Sequence, residues 1–577
     1  GLLGLSTLAL GLAGWLQTAV LLPLLVLASL AAAPQTLSRL RAWRQAPPAA
    51  SAPRLVRLYL GATLLLALFV ALLPPTSWDG LFYHLTGPRL YLQAGAIRPG
   101  IDVPHFNFPA LFEMLFLLAM AVRGDVAAKL LHFLFALLLA GWAAAAARRH
   151  LGMAHGWRAV LLLLAAPMTL SLAGWAYNDL ALAFYQVTAL SALLAWRRQP
   201  HRGWLWLSGI LCGLAMGLKY TSFIAPLFLA GLLAWHVRRR PAAGIRPLLE
   251  LTAVTTLVAA PWYLKNWLFT GNPTYPFVFG GRFWDDFRAA AYAGAGTGIG
   301  WDPITLLRLP HDMLLGLQDA SQDVTTGPLF LMFLPLLLAA VLPRWRRRLP
   351  ADAGALLAFV LVQYLFWMLG AVSSAGLWQS RLLLPAFAAL CPLLAWLWHD
   401  LARFDHPQFS LQRFVNLTVA LALALGLLGQ TLAWLPRAPW TYTLGSTTRA
   451  EVLARDLGAH YAALTGLTDV LPPDAVVVFL FEPRSYYCAV DCRPDSILDT
   501  LAHLEHVHAG DAAAIAAAWR AAGVSHILLF ESGYDFVVAA DTPYVAPQDP
   551  ALWSRLQAHL RRVADWHGAY TLYELLP

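Results

Sequence analysis

VAAKLLHFLFALLLAGWAAAAA, residues 126–147, decides the class of this chain. Only Lys129 and His132 interrupt its apolar side chains, both near its start, and Arg148 and Arg149 follow directly. A helix needs about 20 such residues to cross the hydrocarbon core of a bilayer, because backbone polar groups there must be satisfied within the helix. AVLLLLAAPMTLSLAGWA at 159–176 and LALAFYQVTALSALLAW at 180–196 repeat the pattern. The whole chain agrees with its parts. Of 577 residues, 59% are hydrophobic and 12% charged, against about 45–50% and about 25% in soluble domains. That composition excludes an ordinary soluble enzyme and predicts a mainly α, polytopic helical membrane bundle of about 11–13 spans.

Charge is unevenly distributed. Residues 435–577 carry 9 Lys and Arg against 16 Asp and Glu, while the rest carries 31 against 15, for a net +9 overall. The basic excess sits in short clusters between apolar runs: Arg39, Arg41, Arg44, Arg54 and Arg57; Arg148 and Arg149; Arg197 and Arg198; Arg238 to Arg240; Arg344 with Arg346 to Arg348. Nucleic-acid binding would gather such residues on one soluble face. Here they read as cytoplasmic topology signals.

Spans are expected near 58–73, 130–147, 159–176, 180–196, 204–218, 222–236, 247–264, 329–343, 353–370, 383–399 and 414–434. External loops then fall at 75–125 and 265–327. Within the first loop, 108–122 is apolar but short and reads as a re-entrant or interfacial helix. The stretch up to Ala33 is one long span or a tight hairpin. Residue 1 is Gly, so a preceding segment is expected and no signal-peptide reading is made. Residues 1–434 thus form a membrane domain, and 435–577 form an external one. In the latter, AVVVFL at 475–480, SHILLF at 525–530 and YTLYEL at 570–575 read as strands, and 511–522 and 551–563 as helices, which makes a small extracytoplasmic α/β domain. Cys212 and Cys391 lie in apolar runs as packing residues. Cys488 and Cys492 form a C-x3-C pair that an oxidising compartment would join and the cytoplasm would leave as thiols.

The unusual polar residues fall in four outward-facing segments: WDGLFYH at 78–84, Tyr177-Asn178-Asp179, GLKYT at 217–221, and Gln379-Ser380-Arg381. Ionisable groups near a bilayer are costly unless they serve a site or reach the interface. Asp79 is either a solvated turn residue after Pro74-Pro75 or a carboxylate able to take a proton from an acceptor hydroxyl. Asp179 is either a cap for the helix starting at Leu180 or a second acid. Lys219 and Arg381 either snorkel to headgroups or hold a phosphate, Lys as a point charge and Arg as a fork. His84 and Glu113 are weaker candidates for substrate or metal contact, since their separation makes no recognised metal-ligand spacing. A divalent metal stays open without support, and no other cofactor is expected. In PWYLKNW (261–267) and TGNPTYP (270–276), aromatics mark an interface or line a sugar groove. Trp262, Tyr263 and Trp267 are the residues concerned.

W-D-x-x-x-Y-H around Asp79, Asp179 in a later external turn, the G-L-x-x-G-L-K-Y-T run ending at Thr221, P-W-Y-L-K-N-W, T-G-N-P-x-Y-P and S-R-L-L-L-P at 380–385 together resemble the C-type superfamily of integral-membrane glycosyltransferases. That superfamily includes protein O-mannosyltransferases and aminoarabinose transferases, and the resemblance covers roughly 58–400. It implies a polyprenyl-phosphate sugar donor, membrane lipid as partner, an acceptor of unknown identity and no nucleic acid. It also implies transfer at the external membrane face with Asp79 as general base or acceptor-orienting group. Asp179 would be a second site acid, and Arg381 and Lys219 would stabilise the lipid phosphate. Tyr83, His84, Trp262 and Lys265 would contact substrate. A bacterial cytoplasmic membrane is the expected location. No acidic partner adjoins Asp79, a departure from protein mannosyltransferases that argues against protein as acceptor. The alternative is a multi-span transporter of a lipid-linked or anionic substrate, but transporters commonly carry internal repeats, and none is visible. A mere membrane anchor for the acidic tail would leave Asp79, Asp179 and Arg381 without a shared purpose.

Overall fold

The computed structural model describes residues 1–45, 52–239, 244–294, 296–317, 325–340, 348–540 and 546–577. Arg240, Arg344, Arg346, Arg347 and the 341–343 end of one expected span lie outside the described residues. Among those described, nine helices are long and apolar enough to cross a membrane. They are Thr18–Ala42, Arg54–Leu72, Asp125–Arg149, Asp179–Arg198, Tyr220–Arg238, Arg246–Thr270, Ala353–Ser373, Ser380–Phe404 and Leu411–Trp434.

One further pair of apolar helices passes the same test only when taken together, as a broken span or a re-entrant loop. Trp157–Ala165 and Pro167–Gly174 meet at 74°, because a proline drives the residue before it out of helical geometry, and Ala166 is extended with ψ 118°. The apolar helices Leu2–Leu12 and Leu329–Leu338 are shorter. The expected 11–13 spans are reached only when these short pieces are counted with the long ones. At the N-terminus the chain makes two helices, Leu2–Leu12 and Thr18–Gln45, rather than one.

The chain forms two compact units. The first comprises Gly1–Leu73, Pro109–Trp262 and Gly296–Thr443. Its hub is Asp179–Arg198, which packs on Arg202–Met216, Asp125–Arg149 and Leu384–Asp400. Peripheral helices keep their apolar side chains outward: Leu417, Leu421, Leu425, Leu428 and Leu432 of Leu411–Trp434 are all exposed, as lipid-facing residues should be. Gly209 and Gly213 let Arg202–Met216 press on Arg246–Thr270. A Cβ on Gly213 would lie 2.6 Å from the Thr255 carbonyl oxygen, the close approach that small residues four apart permit in membranes.

The second unit comprises Pro74–Phe108, Tyr263–Ala295 and Leu444–Pro577. It contains a five-stranded sheet of order β2-β1-β3-β5-β4, with β1 Val476–Leu480, β2 Asp491–Arg493, β3 His526–Phe530, β4 Leu560–Trp566 and β5 Tyr570–Leu575. β1 is parallel to β2 and β3, whereas β5 is antiparallel to β3 and β4. Side chains alternate across β1. Val478 and Leu480 join Ile515, Trp519 and Leu552 on one face, while Val477 and Phe479 join Leu464 and Leu467 on the other. The period of two and helices on both sides explain why the strand is apolar throughout.

The expected helix over 551–563 is corrected. It stops at Leu556, and β4 begins at Leu560. His567 and Gly568, both at positive φ, turn the chain so that β4 pairs with β5, and that pairing overrides local helix preference. Cys488 and Cys492 are joined as a disulfide.

Candidate active site

The Arg54–Leu72 helix ends in the first unit at an extended Leu73, and the second unit begins at Pro74. Asp79 opens a wide π-helical turn, Gly80–His84, a geometry that often accompanies functional sites. Tyr83, four residues on, donates its hydroxyl toward Asp79 Oδ2 at 3.4 Å. The Tyr83 ring stacks on His105 at 4.8 Å and lies against His84 at 4.1 Å. Phe82, Phe108 and Tyr292 surround His105. Burial and the nearby Asp79 charge push the Tyr292 phenol well above its ordinary pKa, so it stays protonated beside the carboxylate. Asp79 is thus an acceptor set among aromatic faces, and His84 is buried at 1% exposure. Lys265, also buried, donates to the Phe106 carbonyl at 3.2 Å. Trp267 is exposed. A cavity of about 880 Å³ in this unit is lined by Arg89, Asp102, Arg288, Arg493 and Trp519 among others.

In the first unit, Asn178 occupies the cap position of the Asp179–Arg198 helix and Asp179 is its first residue, so Asp179 is not the cap. It is 2% exposed, and Lys219 Nζ approaches its Oδ1 at 3.1 Å. Asn178 donates to Glu113 Oε1 at 3.1 Å. The helix's open N–H end is served by His132: Leu180 N donates to Nε2 at 3.2 Å, while Nδ1 lies 2.9 Å from the Trp175 carbonyl. That pair of partners selects the neutral tautomer with its proton on Nδ1. Arg381, 6% exposed, donates from Nε to Gln379 at 2.9 Å and stacks over Tyr177 at 4.9 Å. Trp262 is 1% exposed and packs on Gly217, where a Cβ would lie 2.9 Å from the indole.

Lys129 and His132 were visible in the sequence only as interruptions of an apolar run. In the structure Lys129 donates to the Val70 and Leu73 carbonyls at 2.9 and 2.8 Å, a cation at a helix C-terminus where the dipole favours it. His105, in the short helix Pro104–Asn107, and Tyr292, in the helix Asp286–Ala293, carried no motif signal. Among the described residues, no group of three or more His, Cys, Asp or Glu side chains is placed to hold a metal ion.

No family model and no curated relative matches the sequence. The fold has a counterpart among solved structures. The crystal structure of ArnT from Cupriavidus metallidurans in the apo state aligns over 90% of this chain and 97% of that one, with a TM-score of 0.54 at 16% sequence identity. The chain has an ArnT-like fold. The helical membrane bundle with a small C-terminal sheet is the architecture that composition and the apolar and strand-like runs predicted.

Proposed function

We propose that this chain is a membrane glycosyltransferase that moves a sugar from a polyprenyl-phosphate donor to an acceptor hydroxyl at the extracytoplasmic face, with Asp79 as general base. The observation that carries this reading is an ArnT-like fold in which Asp79 faces aromatic side chains suited to pack on a sugar ring. As the acceptor oxygen bonds to the anomeric carbon, its proton passes to the Asp79 carboxylate. The bond from that carbon to the phosphate oxygen breaks, and the polyprenyl phosphate leaves with the electron pair.

Negative charge grows on the departing phosphate, so preorganised cations lower the barrier. Arg381 and Lys219 are the proposed cations, Asp179 orients Lys219, and Tyr83, His84, Trp262 and Lys265 are proposed substrate contacts. The disulfide Cys488–Cys492 supports an extracytoplasmic setting for the acidic tail, and the arginine clusters support the matching membrane orientation.

The test is sugar transfer from radiolabelled polyprenyl-phosphate sugars by purified protein with membrane extract. Asp79→Asn is expected to lower turnover by at least 100-fold, in line with roughly 10²–10⁴ for a general base. Undiminished transfer by that variant would remove Asp79 from the mechanism. Absence of transfer from every donor by the parent protein would remove the activity itself.

A further inference from the structure

The C-terminal part of the second unit holds a hydrogen-bonded quartet, built on one buried ion pair, that the proposed chemistry does not use. Glu482 is fully buried, and Arg484 grips it with two bonds, Nε to Oε1 at 2.9 Å and Nη2 to Oε2 at 2.7 Å. Tyr570 donates its hydroxyl to Glu482 and accepts from Arg484 at 3.2 Å. His460 Nδ1 lies 3.1 Å from the Tyr570 hydroxyl. The guanidinium beside it holds the Glu482 carboxyl far below the usual carboxylate range. Replacing such a set by apolar residues is often neutral for stability, so its presence invites a positional explanation.

What the guanidinium faces is Trp78. The Arg484 Cζ lies 4.1 Å from the indole centroid, well inside the range for cation–π attraction, and Trp78 immediately precedes Asp79. Two further bonds join the same loop to the same segment. The Tyr487 hydroxyl donates to the Pro75 carbonyl at 2.7 Å, and Arg89 donates to the carbonyls of Tyr486 and Cys488. The disulfide to Cys492 closes the loop just beyond. The Asp79 turn is therefore held on its N-terminal side at Pro75 and Trp78, and on its C-terminal side at Arg89.

We propose that Arg484, fixed by Glu482 and stacked on Trp78, is a positioning residue that sets the Asp79 carboxylate for proton transfer. This rests on the reading of Asp79 given above. Bonds from Nε and Nη2 to Glu482, with a second from Nη2 to Tyr570, set the guanidinium plane, so its face fixes the indole plane, and the indole fixes the start of the π-helical turn.

Trp78→Leu removes the stacking surface and leaves the buried quartet intact, while Trp78→Tyr keeps an aromatic face. Steady-state transfer and hydrogen exchange of the 76–85 amides are measured on both, with Arg484→Gln and Asp79→Asn alongside, in full-length protein. Trp78→Leu is expected to lower kcat about tenfold with donor KM within twofold, and to speed exchange over 76–85. Trp78→Tyr is expected to restore both, and Arg484→Gln to reproduce the loss. Exchange unchanged in Trp78→Leu overturns the proposal, as does a raised KM at constant kcat, which would make Trp78 a substrate contact. If Asp79→Asn transfers sugar at the parent rate, the catalytic reading fails instead, and the exchange data alone decide whether Arg484 orders the turn.

Discussion

Removing the ammonium from Lys219 tests whether the Asp179–Lys219 pair is a working part of the first unit. The two charges are 3.1 Å apart, and Asp179 is only 2% exposed. At an effective dielectric of about 20, charges at that distance attract by about 5 kcal/mol, most of it offset by the desolvation of both groups. Breaking a buried pair from one side costs about 3–5 kcal/mol. Here Lys219 keeps 20% exposure, and Asp179 sits in the first turn of a helix whose dipole returns up to about 1 kcal/mol. Lys219→Met should therefore cost about 2–4 kcal/mol. Asp179→Asn in the same background removes the stranded charge, so the double variant should be more stable than Lys219→Met alone. A coupling of about 2 kcal/mol is expected from the four-member cycle. At the unfolding entropy per residue of ordinary domains, the single variant should melt roughly 2–5 °C lower, read by thermal unfolding in detergent micelles. If the two substitutions add within about 0.5 kcal/mol, the side chains do not hold one another and the reasoning fails.

Arg381→Lys keeps the charge but loses the planar fork, so kcat/KM for the lipid-linked donor should fall at least tenfold, with unchanged thermal stability separating this from misfolding. Gly213→Ala places a methyl against the Thr255 carbonyl and should cost about 1–3 kcal/mol by overpacking. Gly231→Ala, with nothing within 4 Å of the added Cβ, should melt like the parent. Asp499, buried beside Asp495 and Asp102 with Arg288 as shared counter-charge, has a pKa raised to about 7. The folded protein then holds a proton that the unfolded chain releases, so its contribution to stability falls as pH rises from roughly 4 to 7, and Asp499→Asn should flatten that slope in a pH series of melting temperatures. Glu482 works in the opposite direction. Its pKa is depressed, so its contribution is complete above the ordinary carboxylate value and is lost as pH drops below it.

Span positions were legible because length and apolarity are local properties, and 126–147 needed no partner to be read. The bend at Ala166-Pro167 was harder, since an unbroken apolar run hides a break that one proline causes. LRRVADW at 560–566 resembles a helix end until Leu560 meets Leu575 and Trp566 meets Tyr570. Its strand character lies in the pairing, not in the seven residues. The same holds for the candidate sites. Asp179 and Lys219 stood out as charges at span ends, yet their ion pair joins residues 40 apart. The Glu482 quartet draws on positions from 460 to 570, and nothing near Glu482 in the sequence announces that it will be buried.

The interleaved second unit imposes an order of events on biosynthesis. Arg89 waits for carbonyls that lie 397 and 399 residues downstream, an interval of roughly 20–80 s at ordinary ribosome speeds. Throughout that time the Asp79 segment has left the ribosome without its later grip, so a nascent chain halted before residue 484 should already thread the bilayer yet lack the contacts that hold the Asp79 turn.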